Sequence, residues 1–171
     1  MHDPVNGAVR IRGNGWNRMH NVMGHHIRTN PDGSLRDHQG WDILSLPGSP
    51  VFAVTNGTIC KIKNDGNNGY GKQVFLSFDF KGKEYYALYA HLNTIDVVEG
   101  MFVAEGEQLG TSGQTGNAQG QALSEAHLHF EVRTSLNVGS GLSGRVSPSL
   151  ILGKEPIREI VRSELRNVFS F

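Results

Sequence analysis

Cysteine is nearly missing from this chain, with Cys60 the only one in 171 residues. A single thiol builds neither an internal disulfide framework nor a cysteine-rich zinc site, so any metal must be held by histidine and carboxylate. Cys60 stands in the strand-like run Gly57 to Lys63 and reads as a small core residue, not a nucleophile. A surplus of either charge is missing too. Lys plus Arg and Asp plus Glu number 16 each, and a formally neutral chain carries no basic footprint for nucleic acid. Long apolar runs are also lacking. None approaches the ~20 residues that span a bilayer, and Met1-His2-Asp3-Pro4-Val5 does not open a charged-then-apolar export signal. The expectation is a soluble chain with no membrane span, no nucleic-acid partner and no Sec address.

What the chain does have is glycine, 22 residues of it, about twice the usual share. The glycines fall between short apolar runs, which indicates tight turns joining many strands. Strands are expected over Pro50 to Val54, Gly57 to Lys63, Gln73 to Phe80, Glu84 to His91, Met101 to Val103 and His127 to Arg133, in an antiparallel, mostly β domain. Lys81-Gly82-Lys83 reads as a hairpin turn and Asp65 to Gly71 as a loop. Residues 1–31 read as an irregular lead-in and 32–153 as the main domain. Within 154–171, Ile157, Ile160, Val161, Leu165 and Val168 recur at helical spacing, which predicts an amphipathic helix packed on the domain.

The chemistry sits in the histidines. His127 and His129 are one residue apart on a predicted strand, so their imidazoles share a face. His38 precedes Asp42 by four residues, which puts the pair on one side of either a helix turn or a strand, and the β-rich context favours the extended form. His91 ends the run Glu84 to His91. A hydrolytic zinc site keeps three His or carboxylate ligands and leaves a position open, so His38, Asp42 and one of His127 and His129 would suffice. The remaining histidines would be left for proton transfer or transition-state stabilisation. Glu131 shares the face of His127 and His129 and reads either as an acceptor orienting a ligand or as a solvent-exposed charge. Trp41 and Tyr89 read as packing residues, Tyr89 with its hydroxyl at the edge. His2, His20, His25 and His26 have no partner at ligand spacing and read as surface or lead-in histidines.

From about Asp32 to Arg133 the sequence resembles the lysostaphin-like (LytM-type) zinc metallopeptidases, peptidoglycan hydrolases that cut the peptide cross-bridges of bacterial cell walls. The likeness rests on H-x-G-x-D at His38, Gly40 and Asp42; on Pro50 to Gly57; and on Tyr-x-His-Leu at Tyr89 to Leu92. It extends through Gly106 to Gly116 and closes on His-Leu-His-Phe-Glu at His127 to Glu131. The resemblance implies a β-sheet domain with loops lining a cleft. It assigns zinc to His38, Asp42 and His129, and it makes His91 and His127 the unligated catalytic pair. Relatives that activate amidases without catalysis usually lack some of these positions, so an active peptidase is expected over a non-catalytic scaffold binding an amidase or peptidoglycan.

The segment Gly139 to Gly153 is similar to tails of Gram-negative wall hydrolases, some delivered by contact-dependent secretion. That likeness implies a D-alanyl-diaminopimelate bond in peptidoglycan peptide stems as substrate, in the periplasm or outside the cell. It further implies antibacterial use, with a delivery route other than Sec or a longer parent chain, and an immunity protein in the producer. The run Gly116 to Ala126 is expected to shape the substrate groove, and the lead-in to cover the cleft. A competing reading, a lipoyl carrier or phosphotransfer domain, draws on a hairpin-like Val103 to Gly110. No lysine stands between Lys83 and Lys154 to carry a lipoyl group, and phosphotransfer has no use for Asp42.

Overall fold

Period-two alternation in the longer strand-like runs folds as antiparallel strands. The computed structural model describes residues 1–13 and 20–157; beyond Ile157 the helix expected over 154–171 lies outside the described residues. In chain order the strands are β1 (Gly24–Thr29), β2 (Leu35–His38), β3 (Trp41–Leu44), β4 (Pro50–Phe52), β5 (Gly57–Asn64), β6 (Lys72–Phe80), β7 (Lys83–Ala90), β8 (Leu92–Ile95), β9 (Phe102–Val103), β10 (Gln108–Ser112), β11 (His127–Arg133) and β12 (Arg145–Val146). A single helical turn, α1 (Ser149–Leu152), follows. The fold is mostly β, built of antiparallel sheets, as expected.

The large sheet runs β12-β11-β7-β6-β5-β9, with β3 also paired to β11, and a smaller one runs β4-β10-β8. One contiguous core joins Val74, Leu76, Tyr89 and Phe130 of the large sheet to Val51, Leu92 and Leu109 of the small one. Burying a Leu or Phe side chain of this kind contributes ~1.5–3 kcal/mol. The other face of the large sheet holds a lesser cluster around Phe75, Leu88 and Ala90. The expected hairpin between β6 and β7 turns on Lys81 and Gly82, both at positive φ, the conformation that matches the twist of the flanking strands.

Two stretches depart from the sequence reading. The lead-in contains β1, which pairs with β2 as a separate ribbon, and it buries Val5, Val9, Ile11 and Val22 in the core. Its apolar patches are too short to show a period, yet residues 10–12 lie along the free edge of β3. There Arg12 N–H donates to Asp42 O (2.9 Å) and Leu44 N–H to Arg10 O (2.7 Å). The tail-like stretch 139–153 also folds back, because β12 pairs with the end of β11.

Candidate metal centre and cleft

Strand register brings the site together. On β11, His129 stands opposite Asp42 of β3 on one side and Ala90 of β7 on the other. His127, His129 and Glu131 therefore share one face, while Leu128 and Phe130 enter the core on the other. Gly40 lets β3 come this close. A Cβ there would overlap the Phe130 carbonyl oxygen, so the glycine of H-x-G-x-D serves the approach of two strands.

His91 reaches the same cleft by a different device. Alternation along β7 would turn it toward the core face with Tyr89. Instead it takes φ 60 at the break between β7 and β8, and its ring lies 5.0 Å from that of His127, edge to face. A non-glycine residue in this region costs of order 1–3 kcal/mol and persists where the surroundings fix it. Here the His91 N–H donates to Tyr70 O at 3.0 Å.

Hydrogen bonds assign the protons. A main-chain carbonyl only accepts, so Nδ1–H donates in His38 to Val22 O (2.7 Å), in His91 to Thr115 O (2.8 Å) and in His127 to Glu125 O (2.8 Å). Each ring when neutral therefore presents a bare Nε2. Thr115 and Glu125 belong to the long loop before β11, so that loop acts through its backbone.

His129 is held from both ends. Its Nε2 lies 3.0 Å from Glu131 Oε1, and its Nδ1 lies 2.8 Å from Asp42 Oδ1. Glu131 also accepts from Tyr70 Oη (2.7 Å), Arg133 Nε (2.7 Å) and Arg145 Nε (2.8 Å). Fully buried and ringed by donors, it has its pKa held below the ordinary carboxylate range: burial alone would raise it, but His129 and Arg133 outweigh that. Of the two sequence readings of Glu131, the structure shows the acceptor and not the exposed charge. An ionised Glu131 fixes the His129 proton on Nε2 and leaves Nδ1 bare.

His38 Nε2, 3.1 Å from Asp42 Oδ1, and His129 Nδ1 thus converge on the same carboxylate oxygen. Three acceptors meet, which is repulsive unless a cation lies among them. The three ligand atoms fall within 4.8 Å of one another, and two imidazoles with a carboxylate suit zinc. The donor set fits that metal. A proton on His129 is the competing cation: burial opposes it, but the hydrogen bonds to Asp42 and Glu131 outweigh burial and raise the His129 pKa. Burial lowers the pKa of His38. It would raise that of Asp42, but His38, His127 and His129 hold this carboxyl well below its usual value. Burial is also the main cause that pushes His91 down to about 3 and His127 down to about 4.

Asp42 Oδ2 faces the other way. It accepts from Arg12 Nε (3.1 Å) and from Arg28, two guanidiniums delivered by the lead-in and by β1. The sequence reading missed both, along with Tyr70, which stacks on His129 with centroids 4.8 Å apart, and Arg145. One signal was present: Asn30-Pro31-Asp32-Gly33-Ser34 between two alternating runs marks the β1–β2 hairpin that carries Arg28. The Tyr89 hydroxyl is not at an edge, being wholly buried and accepting from Val54 N–H at 3.0 Å. Trp41 packs in the core.

All five residues expected at the site, His38, Asp42, His91, His127 and His129, line one cleft of ≈ 270 Å³, with Asn117 and Gln121 of the long loop at its wall. The sequence pattern of peptidase family M23 matches residues 36–141, more than half of the chain. This chain belongs to peptidase family M23. Among M23-like relatives, the peptidoglycan DD-endopeptidase ShyA of Vibrio cholerae is 32% identical over 95 residues, which is 56% of this chain and 20% of that protein. The chain spans about a fifth of the length of the curated relatives it matches first. The catalytic domain of lysostaphin from Staphylococcus simulans superposes with a TM-score of 0.60 at 28% identity, covering 78% of this chain and 90% of that one. A zinc-containing peptidase from Vibrio cholerae gives a TM-score of 0.59 at 27% identity over 75% of this chain and 35% of that one. The M23 fold therefore extends well beyond the five motifs.

Proposed function

We propose that this M23 chain is a zinc-dependent endopeptidase that hydrolyses peptide cross-links of bacterial peptidoglycan at the D-alanyl-diaminopimelate bond. His38, Asp42 and His129 hold the zinc; His91 and His127 are the catalytic pair. The observation that carries the reading is the meeting of two bare imidazole nitrogens with Asp42 Oδ1 in a buried pocket, beside two further histidines whose tautomers are fixed.

When bound there, zinc supplies Lewis acidity toward a water and a carbonyl oxygen. The chain's own groups do the rest. His127 Nε2 points toward the metal-binding carboxylate, 3.7 Å from Asp42 Oδ1, and takes the proton of the attacking water. Once protonated, that Nε2–H is a donor, and the proton passes to the amine that leaves. His91 Nε2, on the adjoining ring with centroids 5.0 Å apart, serves as the second acceptor and then donor. The carbonyls of Thr115 and Glu125 keep both rings from turning.

The Arg36 side chain also lines the cleft, is exposed, and has no ion pair or side-chain hydrogen bond among the described residues. An unpaired guanidinium suits a stem peptide, which carries free carboxylates. ShyA is a peptidoglycan DD-endopeptidase, and the likeness to it supports peptidoglycan as the substrate. The likeness of residues 139–153 to tails of exported wall hydrolases supports an antibacterial role outside the producing cell.

The test is digestion of purified diaminopimelate-type peptidoglycan, read by mass spectrometry with and without a zinc chelator. Chelator-sensitive conversion of cross-linked dimers to monomers is expected. Intact dimers in the presence of one bound zinc per chain would overturn the assignment.

A further inference from the structure

Outside the cleft, His25 and His26 on β1 and Asp37 on β2 form another group of metal-ligating side chains, with one ligand atom from each within 4.8 Å of the other two. Neighbouring residues of a strand normally point to opposite faces, so adjacent histidines should not converge. Here the ladder is broken. Gly24 pairs with His38 and Arg28 with Arg36, so that His25, His26 and Ile27 all stand opposite Asp37. His26 takes φ 52. Ile27 turns inward to pack against the core, and both imidazoles are left outside, stacked with centroids 3.7 Å apart and planes at 23°. Asp37 Oδ1 accepts from the His26 N–H at 2.9 Å and lies 2.8 Å from His25 Nδ1. A bulge plus a left-handed non-glycine residue is a costly way to place two rings beside one carboxylate, and such strain collects at functional positions.

We propose that His25, His26 and Asp37 form a second site, separate from the cleft, for a borderline divalent cation such as zinc. Two imidazole nitrogens and a carboxylate oxygen are a donor set of that class, and solvent can complete the coordination because both histidines are exposed. The site braces the ribbon. Gly24, beside the bulge, pairs with His38, and Arg28, beyond it, holds Asp42. A cation here ties together the two strands that position half of the cleft.

The experiment counts metal on the full chain after equilibrium dialysis against Zn²⁺, with Co²⁺ absorption as a second readout. It compares wild type with His25→Ala, His26→Asn and His129→Ala; asparagine tolerates the positive φ, and thermal melts of the metal-free variants establish that each is folded. Wild type should hold a second equivalent that His25→Ala and His26→Asn lose and His129→Ala keeps. Zinc should also raise the melting midpoint of His129→Ala, and His25→Ala added to that variant should erase the rise. One equivalent, removed by His129→Ala and kept by His25→Ala, would overturn the second site and leave the peptidase reading standing. A single equivalent removed only by His25→Ala would do the reverse. Two equivalents retained by both His25→Ala and His26→Asn would also overturn this site.

Discussion

His127 and His129 are one residue apart, yet their environments differ. His129 has a carboxylate on each ring nitrogen, whereas His127 has a main-chain carbonyl on Nδ1 and an open Nε2. His129→Ala should therefore abolish both zinc retention and cleavage. His127→Ala should keep one zinc while kcat falls about 10²-fold or more. Elemental analysis beside muropeptide kinetics separates the two, and loss of metal from His127→Ala would exchange the assignments. Arg12 and Arg28 press on the far oxygen of Asp42. Arg28→Met should weaken zinc binding by ~10–100-fold, read by competition with a chromophoric chelator; unchanged affinity would make the guanidinium a bystander. The histidines that line the cleft could be singled out in the sequence because short spacings and motifs are local patterns. Arg12 and Arg28 were not, because a long side chain on an irregular segment or beside a bulge leaves no spacing to read.

At the scale of elements, the site depends on how near β3 lies to β11. Gly40→Ala should force these strands apart, with a stability loss of ~1–3 kcal/mol and displacement of His38 and Asp42. Urea unfolding and zinc stoichiometry together check this, and a variant matching wild type in both would show the approach to be slack. The strands β4, β5, β6, β7, β9 and β11 could be read from the sequence, the longer ones because their alternation is sustained. β1, β2, β3, β8, β10 and β12 went unread. Most are two to five residues long, and β1 carries a bulge that destroys its period. Their existence is decided by partners far along the chain, as when β3 acquires its place from β11.

For the whole molecule, acid is the adverse condition. Asp42 and Glu131 titrate below their ordinary values in the fold, so their contribution is complete above the usual carboxylate range and is lost as pH falls through it. His91 and His127, pushed down to about 3 and about 4, resist protonation that the unfolded chain accepts at about 6.5. They too remove stability as pH falls from that value toward their own. His129 acts oppositely: its raised value stabilises in acid, and the contribution fades as pH rises through it. Between about pH 7 and about pH 4 the histidines decide: His38, His91 and His127 are lowered and only His129 is raised, so the urea midpoint of the metal-free protein should drop there and fall further as the carboxylates titrate below it; a flat midpoint would contradict the burial assigned to these groups. Glu131→Gln, which strands Arg133 and Arg145, should cost ~3 kcal/mol at neutral pH, measurable by the same unfolding curves.

The M23 pattern occupies residues 36–141, but Arg12 and Arg28 come from before it and Arg145 from after it. The borders of recognisable ancestry and the borders of electrical neutrality do not coincide. A graft of the patterned segment alone into another protein would import two buried anions, Asp42 without either guanidinium and Glu131 with only Arg133. The transferable module is the wider piece, and its limits are drawn by counter-charge.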